Sequence, residues 1–262
     1  MPRSRLMFEM TVDEVRNGLA EMRTVVVPVG VVEQHGYHLP LSVDIHNAVE
    51  IASRASERSG CFVTPCVHYS FSGGTLPGTI NIAPQTFALV LMDIYRSLLS
   101  QGFRNIIVFL GHGGTENTRA AVDSALDFQR LNPYYEDATI SVVPFWELSA
   151  TYAQSFREGD FHAGKYETSM MLFWKPELVH MDRVALDEAG FVERMRKDPD
   201  AYLTKYTAID SRFLAPRMAQ SPEMKVGVMG DPSDSSADLG ERIAEECADG
   251  LAALVRELEG RP

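Results

Sequence analysis

The sequence predicts an α/β fold: a mostly parallel sheet flanked by helices, in a single domain of residues 1–262. Three observations lead there. Four apolar runs, "TVVVPVG" (24–30), "CFVTPCV" (61–67), "NIIVFLG" (105–111) and "TISVVPF" (139–145), are near-continuous rather than alternating. That is the pattern of parallel strands covered on both faces. Stretches with helical spacing lie between these runs, and alternating strands and helices imply βαβ units. Finally, 262 residues at 45% hydrophobic composition can fill one such core, and no repeat, low-complexity tract or linker divides the chain.

The elements follow in order. After strand 24–30, residues 45–58 read as a helix, and strand 61–67 comes next. In 84–102 the apolar positions Phe87, Val90, Leu91, Ile94, Tyr95 and Leu98 keep a three-to-four spacing. Pro84 suits a first helical turn there, and Gly102 lies past the end. Strand 105–111, helix 115–130 and strand 139–145 follow, then a helix over 164–174. Residues 195–232, rich in Asp, Pro, Met and Lys, show little period. They read as irregular surface structure and a candidate subunit interface. Near the end, Leu239, Ile243, Cys247, Leu251, Leu254 and Leu258 form one helical stripe, started by a box-like Ser235-x-x-Asp238.

The bulk composition excludes some function classes. With 24 basic and 36 acidic residues the formal charge is −12, which argues against nucleic acid and anionic membranes as partners. No run reaches the length of a membrane span, and "MPRSRLMFEMTVDEV" holds no apolar run of signal-peptide length. Cys61, Cys66 and Cys247 form no disulfide framework and read as packing residues. The cytoplasm is the expected compartment.

Ligands of open parallel sheets bind at the carboxyl ends of the strands. The polar clusters of this chain fall there. Strand 24–30 leads to Glu33, His35 and Asp44, and strand 105–111 leads to "GHGGTEN" with His112 and Glu116. Trp146 follows strand 139–145, and "DFHAGKYETSMML" brings His162 and Glu167. Carboxylates mixed with imidazoles suit zinc, manganese or ferrous iron rather than copper(I) or an iron–sulfur cluster. Three carboxylates and two imidazoles exceed the needs of one tetrahedral zinc. Two ions sharing a carboxylate and a hydroxide would use the surplus, and such a pair hydrolyses carbonyl compounds.

Each residue also has a plainer reading. His35 or His112 could be a hydrogen-bonded residue at a strand end, and Asp44 a helix cap. Glu167 could serve a first helical turn, and Gly113 and Gly114 a tight turn. His38, His46, His68 and His180 keep that plainer reading. A serine or cysteine hydrolase is disfavoured: no G-x-S-x-G elbow occurs, and no cysteine adjoins a motif histidine.

"PVGVVEQHGYHLPLSVD", "PGTINIAPQTF", "FLGHGGTEN", "HAGKYETSMML" and "GVMGDPSDSSADLG" resemble, in order, five blocks of the creatininase family of amidohydrolases. The match runs from about residue 20 to about residue 255. The resemblance implies a creatininase-like α/β domain assembled as a homohexamer around a binuclear site. Glu33 and His112 would hold one ion, His35 the other, and Asp44 would bridge. Glu167 would be the remaining carboxylate, with Glu116 as its rival. His162 would handle a proton during C–N cleavage, and Trp146 would line the substrate pocket. Gly113 and Gly114 would let the backbone approach substrate or metal. The cofactors expected are two divalent ions per chain, zinc first, with manganese or iron as alternatives.

Two departures point away from creatinine itself. The His-Tyr-Glu triplet of creatininase is His112-Gly113-Gly114 here, and a second tryptophan ahead of His162 is missing, since Trp174 follows it. The expected function is therefore a metal-dependent amidohydrolase that cleaves a non-peptide C–N bond in a small cyclic amide or formamide. The alternatives are a peptidase trimming a short peptide, as the mycofactocin-precursor enzymes of the family do, and a non-catalytic metal-binding scaffold.

Overall fold

The computed structural model describes residues 4–260. Five strands form one parallel sheet: β1 (Arg5–Leu6), β2 (Thr24–Val29), β3 (Phe62–Val63), β4 (Asn105–Leu110) and β5 (Thr139–Pro144). Their order is β1-β3-β2-β4-β5, and every pairing is parallel. Successive side chains of a strand point to opposite faces, so the apolar runs divide between two layers. Val26, Ile107 and Phe109 pack towards α2 (Val43–Ser59), α6 (Lys165–Trp174) and α8 (Ala237–Glu259). Val25, Val27, Ile106 and Val108 pack towards α3 (Pro84–Ser100) and α4 (Thr115–Leu131). Both faces are dry, which is why these runs show no alternation. Only the edge strands, β1 and β5, are half-buried throughout.

The chain leaves β2 through α2 to β3 on one side, and leaves β4 through α4 to β5 on the other. The connections therefore diverge between neighbouring β2 and β4 and open a crevice at their carboxyl ends.

Several expectations need correction. Strand 61–67 pairs as a regular strand only at Phe62–Val63, because Pro65 has no N–H for the ladder; Val67 rejoins through a single bridge to Val29. β1, α1 (Val12–Gly18) and the short α5 (Gln154–Glu158) were not expected. α1 starts with a capping box, in which Thr11 Oγ1 accepts from Glu14 N and the Glu14 side chain accepts from Thr11 N. Residues 195–232 are more ordered than expected. They hold the end of α7 (Ala189–Lys197) and an antiparallel hairpin of β6 (Leu203–Tyr206) and β7 (Arg217–Gln220). Ser236 rather than Ser235 caps α8, accepting from Leu239 N at 3.2 Å, while Ser235 Oγ donates to Pro232 O.

A close helix crossing supports the site. A Cβ on Gly240 of α8 would lie 2.0 Å from the Ser169 carbonyl oxygen, so α8 and α6 touch backbone to backbone. Ser236 N donates to Ser169 Oγ at 3.0 Å across the same contact. All three cysteines are free, and burial pushes the thiols of Cys61 and Cys66 up to about 11 and about 12. Among the described residues, no helix is long and apolar enough to cross a membrane.

Candidate metal centre

The crevice between β2 and β4 gathers the acidic and imidazole side chains. Beyond β2, Glu33 N donates to Leu41 O at 3.0 Å and closes the loop that carries Glu33 and His35. α2 then places Asp44 in its first turn. β4 ends against that turn: a Cβ on Gly111 would lie 2.1 Å from the Asp44 carbonyl oxygen. Only glycine allows this approach, and it sets the next residue, His112, beside Asp44. From the same layer as α2, α6 supplies Glu167 in its own first turn. His162 precedes α6 and is tied by a backbone bridge to Met229.

The two oxygens of Asp44 face different partners. Oδ2 is 3.3 Å from His112 Nδ1, which is also 3.1 Å from Glu33 Oε2. Oδ1 is 3.5 Å from His35 Nε2, which is also 3.6 Å from Glu167 Oε2. Ligand atoms within 4.8 Å of one another thus form one set of Glu33, Asp44 and His112 and another of His35, Asp44 and Glu167. A third such set, Glu33, His35 and His162, shares members with both. Glu116 belongs to none of the three; it lies half-buried in the first turn of α4 and lines the cavity.

Elementary electrostatics suggests what the cluster suits. His35 is fully buried, and the other four residues are at most 7% exposed. Burial opposes ionisation of Glu33, yet His112 and His162 beside it hold its carboxyl below the usual range. Asp44 is held down against burial by His35 and His112. Burial would lower His35, but Asp44 and Glu167 carry it up to about 9, and Glu33 and Asp44 raise His112 well above its ordinary value. Glu167 goes the other way: burial and the Asp44 charge outweigh His35 and His162 and raise it. Without an ion, protons on the two imidazoles balance the carboxylates.

The donor atoms fit a cation. Glu33 Oε2, His35 Nε2 and Asp44 Oδ2 are buried and make no well-aligned hydrogen bond, although His112 Nδ1 stands 3.1 and 3.3 Å from the two carboxylate oxygens. A buried polar atom without an aligned partner costs about 1–3 kcal/mol, which cations held in the two donor sets would offset. Hydrogen bonds behind them orient the donors. His35 Nδ1 donates to the Glu33 carbonyl at 3.1 Å, which leaves the Nε2 lone pair directed inward. Ser72 Oγ donates to Glu33 Oε1 at 2.5 Å, and Ala163 N to Glu167 Oε2 at 2.6 Å. Ala163 makes that bond from φ 54°, a left-handed conformation that costs a non-glycine residue about 1 kcal/mol or more.

A cavity of about 320 Å³ opens beside the cluster, lined in part by His112, Gly113, Gly114, Trp146, His162 and Glu167. Trp146 lies in the turn after β5, its ring 3.7 Å from where a Gly113 Cβ would stand. Gly114 has an ordinary φ of −58°, so turn geometry does not require glycine there; space does, since a Cβ would lie 2.5 Å from His112 Nε2. His38 stays outside the cluster, with Nε2 3.1 Å from Thr168 Oγ1, and burial lowers its pKa to about 4.

Sequence reasoning missed several residues around the site. Gln34 contacts His162 Nε2 through both its side chain and its carbonyl. Only its place between Glu33 and His35 could have flagged it. Ser72 lies in a stretch without motif chemistry. Tyr152 and Tyr202, also on the cavity wall, carry no spacing signal.

Comparison with known proteins identifies the family. Residues 8–255 match the family model Creatininase, described as creatinine amidohydrolase. The creatinine amidohydrolase of Pseudomonas putida is 28% identical over 276 residues, covering 98% of each chain. The mycofactocin precursor peptide peptidase of Mycolicibacterium smegmatis is 30% identical over 244 residues, covering 88% of this chain and 84% of that one. Among solved structures, a manganese creatininase superposes with a TM-score of 0.78 at 28% identity, covering 99% of this chain and all of that one. A creatininase variant of Zn-Zn type gives 0.77 at 27% identity, with complete coverage of both chains. The chain belongs to the creatininase family of amidohydrolases.

Proposed function

We propose that this chain is a binuclear metal-dependent amidohydrolase of small cyclic amides or formamides. The observation that carries the reading is Asp44, whose two oxygens face two separate sets of donors. Glu33 and His112 would hold one ion with Asp44, and His35 and Glu167 the other. Zinc is the first choice, with manganese or iron as alternatives; the solved relatives of manganese and Zn-Zn type support the first two. When bound, the pair activates a water molecule and polarises the substrate carbonyl.

The chain's own groups supply the rest. Trp146 offers a flat apolar wall to a planar amide, while Gly113 and Gly114 leave room beside it. His162 gives a proton to the departing nitrogen, which leaves poorly as an anion. The carbonyl carbon gains the water's oxygen, the C–N bond breaks, and the amine departs neutral. At about 320 Å³ the cavity is at the small end of ligand sites, which favours a compact substrate. The peptidase relative supports a second reading, the trimming of a short peptide.

We place the enzyme in the cytoplasm, as three free cysteines suit a reducing compartment. We also propose a homohexamer. Exposed Ile209, Phe213 and Leu214 in the β6–β7 connection, 65%, 83% and 42% accessible, suit burial between copies.

The test is a screen of zinc- or manganese-loaded protein against lactams, cyclic ureides, N-formyl amines and short peptides, following amine release. Turnover of a small amide is expected, and His162→Ala should abolish it with metal content unchanged. Cleavage of peptides alone would transfer the assignment to the second reading. No turnover of any class by fully loaded protein would refute both.

A further inference from the structure

We infer that Asp187, remote from the cluster in sequence, is a positioning residue that fixes His162 with Nε2 on Gln34 and leaves Nδ1 as its working nitrogen. This rests on the reading of His162 as the proton-handling group.

Asp187 accepts three consecutive main-chain N–H groups. Lys225 N and Val226 N donate to Oδ1 at 2.7 and 2.9 Å, and Gly227 N donates to Oδ2 at 2.8 Å. The clamped segment touches the site at two points. Gly227 O accepts from Gln34 Nε2 at 3.3 Å, and Met229 pairs with the His162 backbone, Met229 N donating to His162 O at 2.8 Å. Gly227 adopts φ 79°, and a Cβ there would lie 2.4 Å from Gln34 Nε2. The segment therefore has to be held in a conformation that favours glycine, close against Gln34.

Gln34 in turn holds His162. Its Oε1 accepts from Gly36 N at 3.0 Å, so Oε1 and Nε2 are each assigned by a backbone partner. His162 Nε2 lies 2.8 Å from the Gln34 carbonyl oxygen and 3.2 Å from Gln34 Nε2. The shorter contact requires a proton on Nε2, since a carbonyl only accepts. Nε2 is thus occupied by the Gln34 carbonyl, and Nδ1 is the ring nitrogen without a hydrogen-bond partner among the described residues. Asp187 acts on this arrangement only through the 225–229 backbone.

The tautomer can be read directly by long-range ¹H–¹⁵N correlation on zinc-loaded, ¹⁵N-histidine-labelled protein in mildly alkaline buffer, with His162 assigned by loss of its signals in His162→Gln. The wild type should show Nε2 protonated and Nδ1 bare. Asp187→Asn keeps an acceptor for Lys225 and Val226 but turns an NH₂ towards Gly227 N–H. It should therefore move both His162 nitrogens towards an averaged position while the His35 and His112 signals stay in place. Asp187→Ala should do so more strongly, and if it fails to fold, Asp187→Asn decides alone. A proton on Nδ1 in the wild type, or unchanged His162 signals in Asp187→Asn, would overturn the inference. Zinc content of the same samples separates this from failure of the metal centre, because the tautomer of His162 is readable with or without bound zinc.

Discussion

Replacing Gly114 by alanine tests whether this glycine provides space for a metal-binding imidazole. The backbone at Gly114, φ −58° and ψ 133°, suits alanine, and losing glycine's freedom in the unfolded chain would stabilise by about 0.4–1 kcal/mol. Against that, the new Cβ would stand 2.5 Å from His112 Nε2, where ordinary contacts begin near 3.4 Å. The ring would have to move by about 1 Å, and overpacking of this kind costs about 1–3 kcal/mol. The net expectation is a loss of about 1–2 kcal/mol. The larger effect falls on the site, because His112 Nδ1 would leave its place 3.1 Å from Glu33 and 3.3 Å from Asp44. A displacement of about 1 Å in a preorganised site costs on the order of 100-fold. Zinc affinity, measured by competition with a chromophoric chelator, should fall by about 10- to 100-fold. Affinity within twofold of wild type would refute the reasoning and return Gly114 to the role of a turn residue.

Further outcomes follow from the same geometry. Asp44→Asn should reduce bound zinc to well below one equivalent by elemental analysis, since both sets lose a ligand, whereas Glu116→Gln should leave zinc content unchanged. In chelated protein His35 is raised to about 9, so metal binding must expel its proton. Zinc affinity should therefore climb as pH rises from about 7 towards 9, with proton release detectable by calorimetry in buffers of different ionisation enthalpy. The sign for stability is opposite: a raised histidine stabilises the metal-free fold fully below its ordinary value near 6.5 and loses that contribution as pH passes about 9. Gly240→Ala should lower the melting temperature by several degrees although alanine is the better helix former, because its Cβ would meet the Ser169 carbonyl at 2.0 Å. The same variant should weaken zinc binding, as α6 carries Glu167.

Strands β2 and β4 were legible because both faces of the sheet are covered, so each left an unbroken apolar run. β3 was overdrawn because a proline is invisible to hydrophobic pattern but decisive for a ladder. The β6–β7 hairpin escaped notice because its residues are half-buried or exposed and leave no period-two signal. Glu33, His35 and His112 stood out as polar residues directly after strands. Asp44 and Glu167 were ambiguous with helix-start residues, and in the fold they are both: each occupies a first turn and faces inward. Gln34, Ser72 and Asp187 could not be ranked from sequence. Their roles consist of contacts to backbone or to a single side-chain atom, created only when distant segments meet.

The most direct test of the central claim is metal content per chain, measured by plasma mass spectrometry on protein purified without chelator or affinity tag. The account predicts about two equivalents of zinc, manganese or iron. Less than a tenth of an equivalent, with no uptake on adding any of these metals, would contradict it. The buried carboxylates and imidazoles between β2 and β4 would then be a self-neutralising polar cluster.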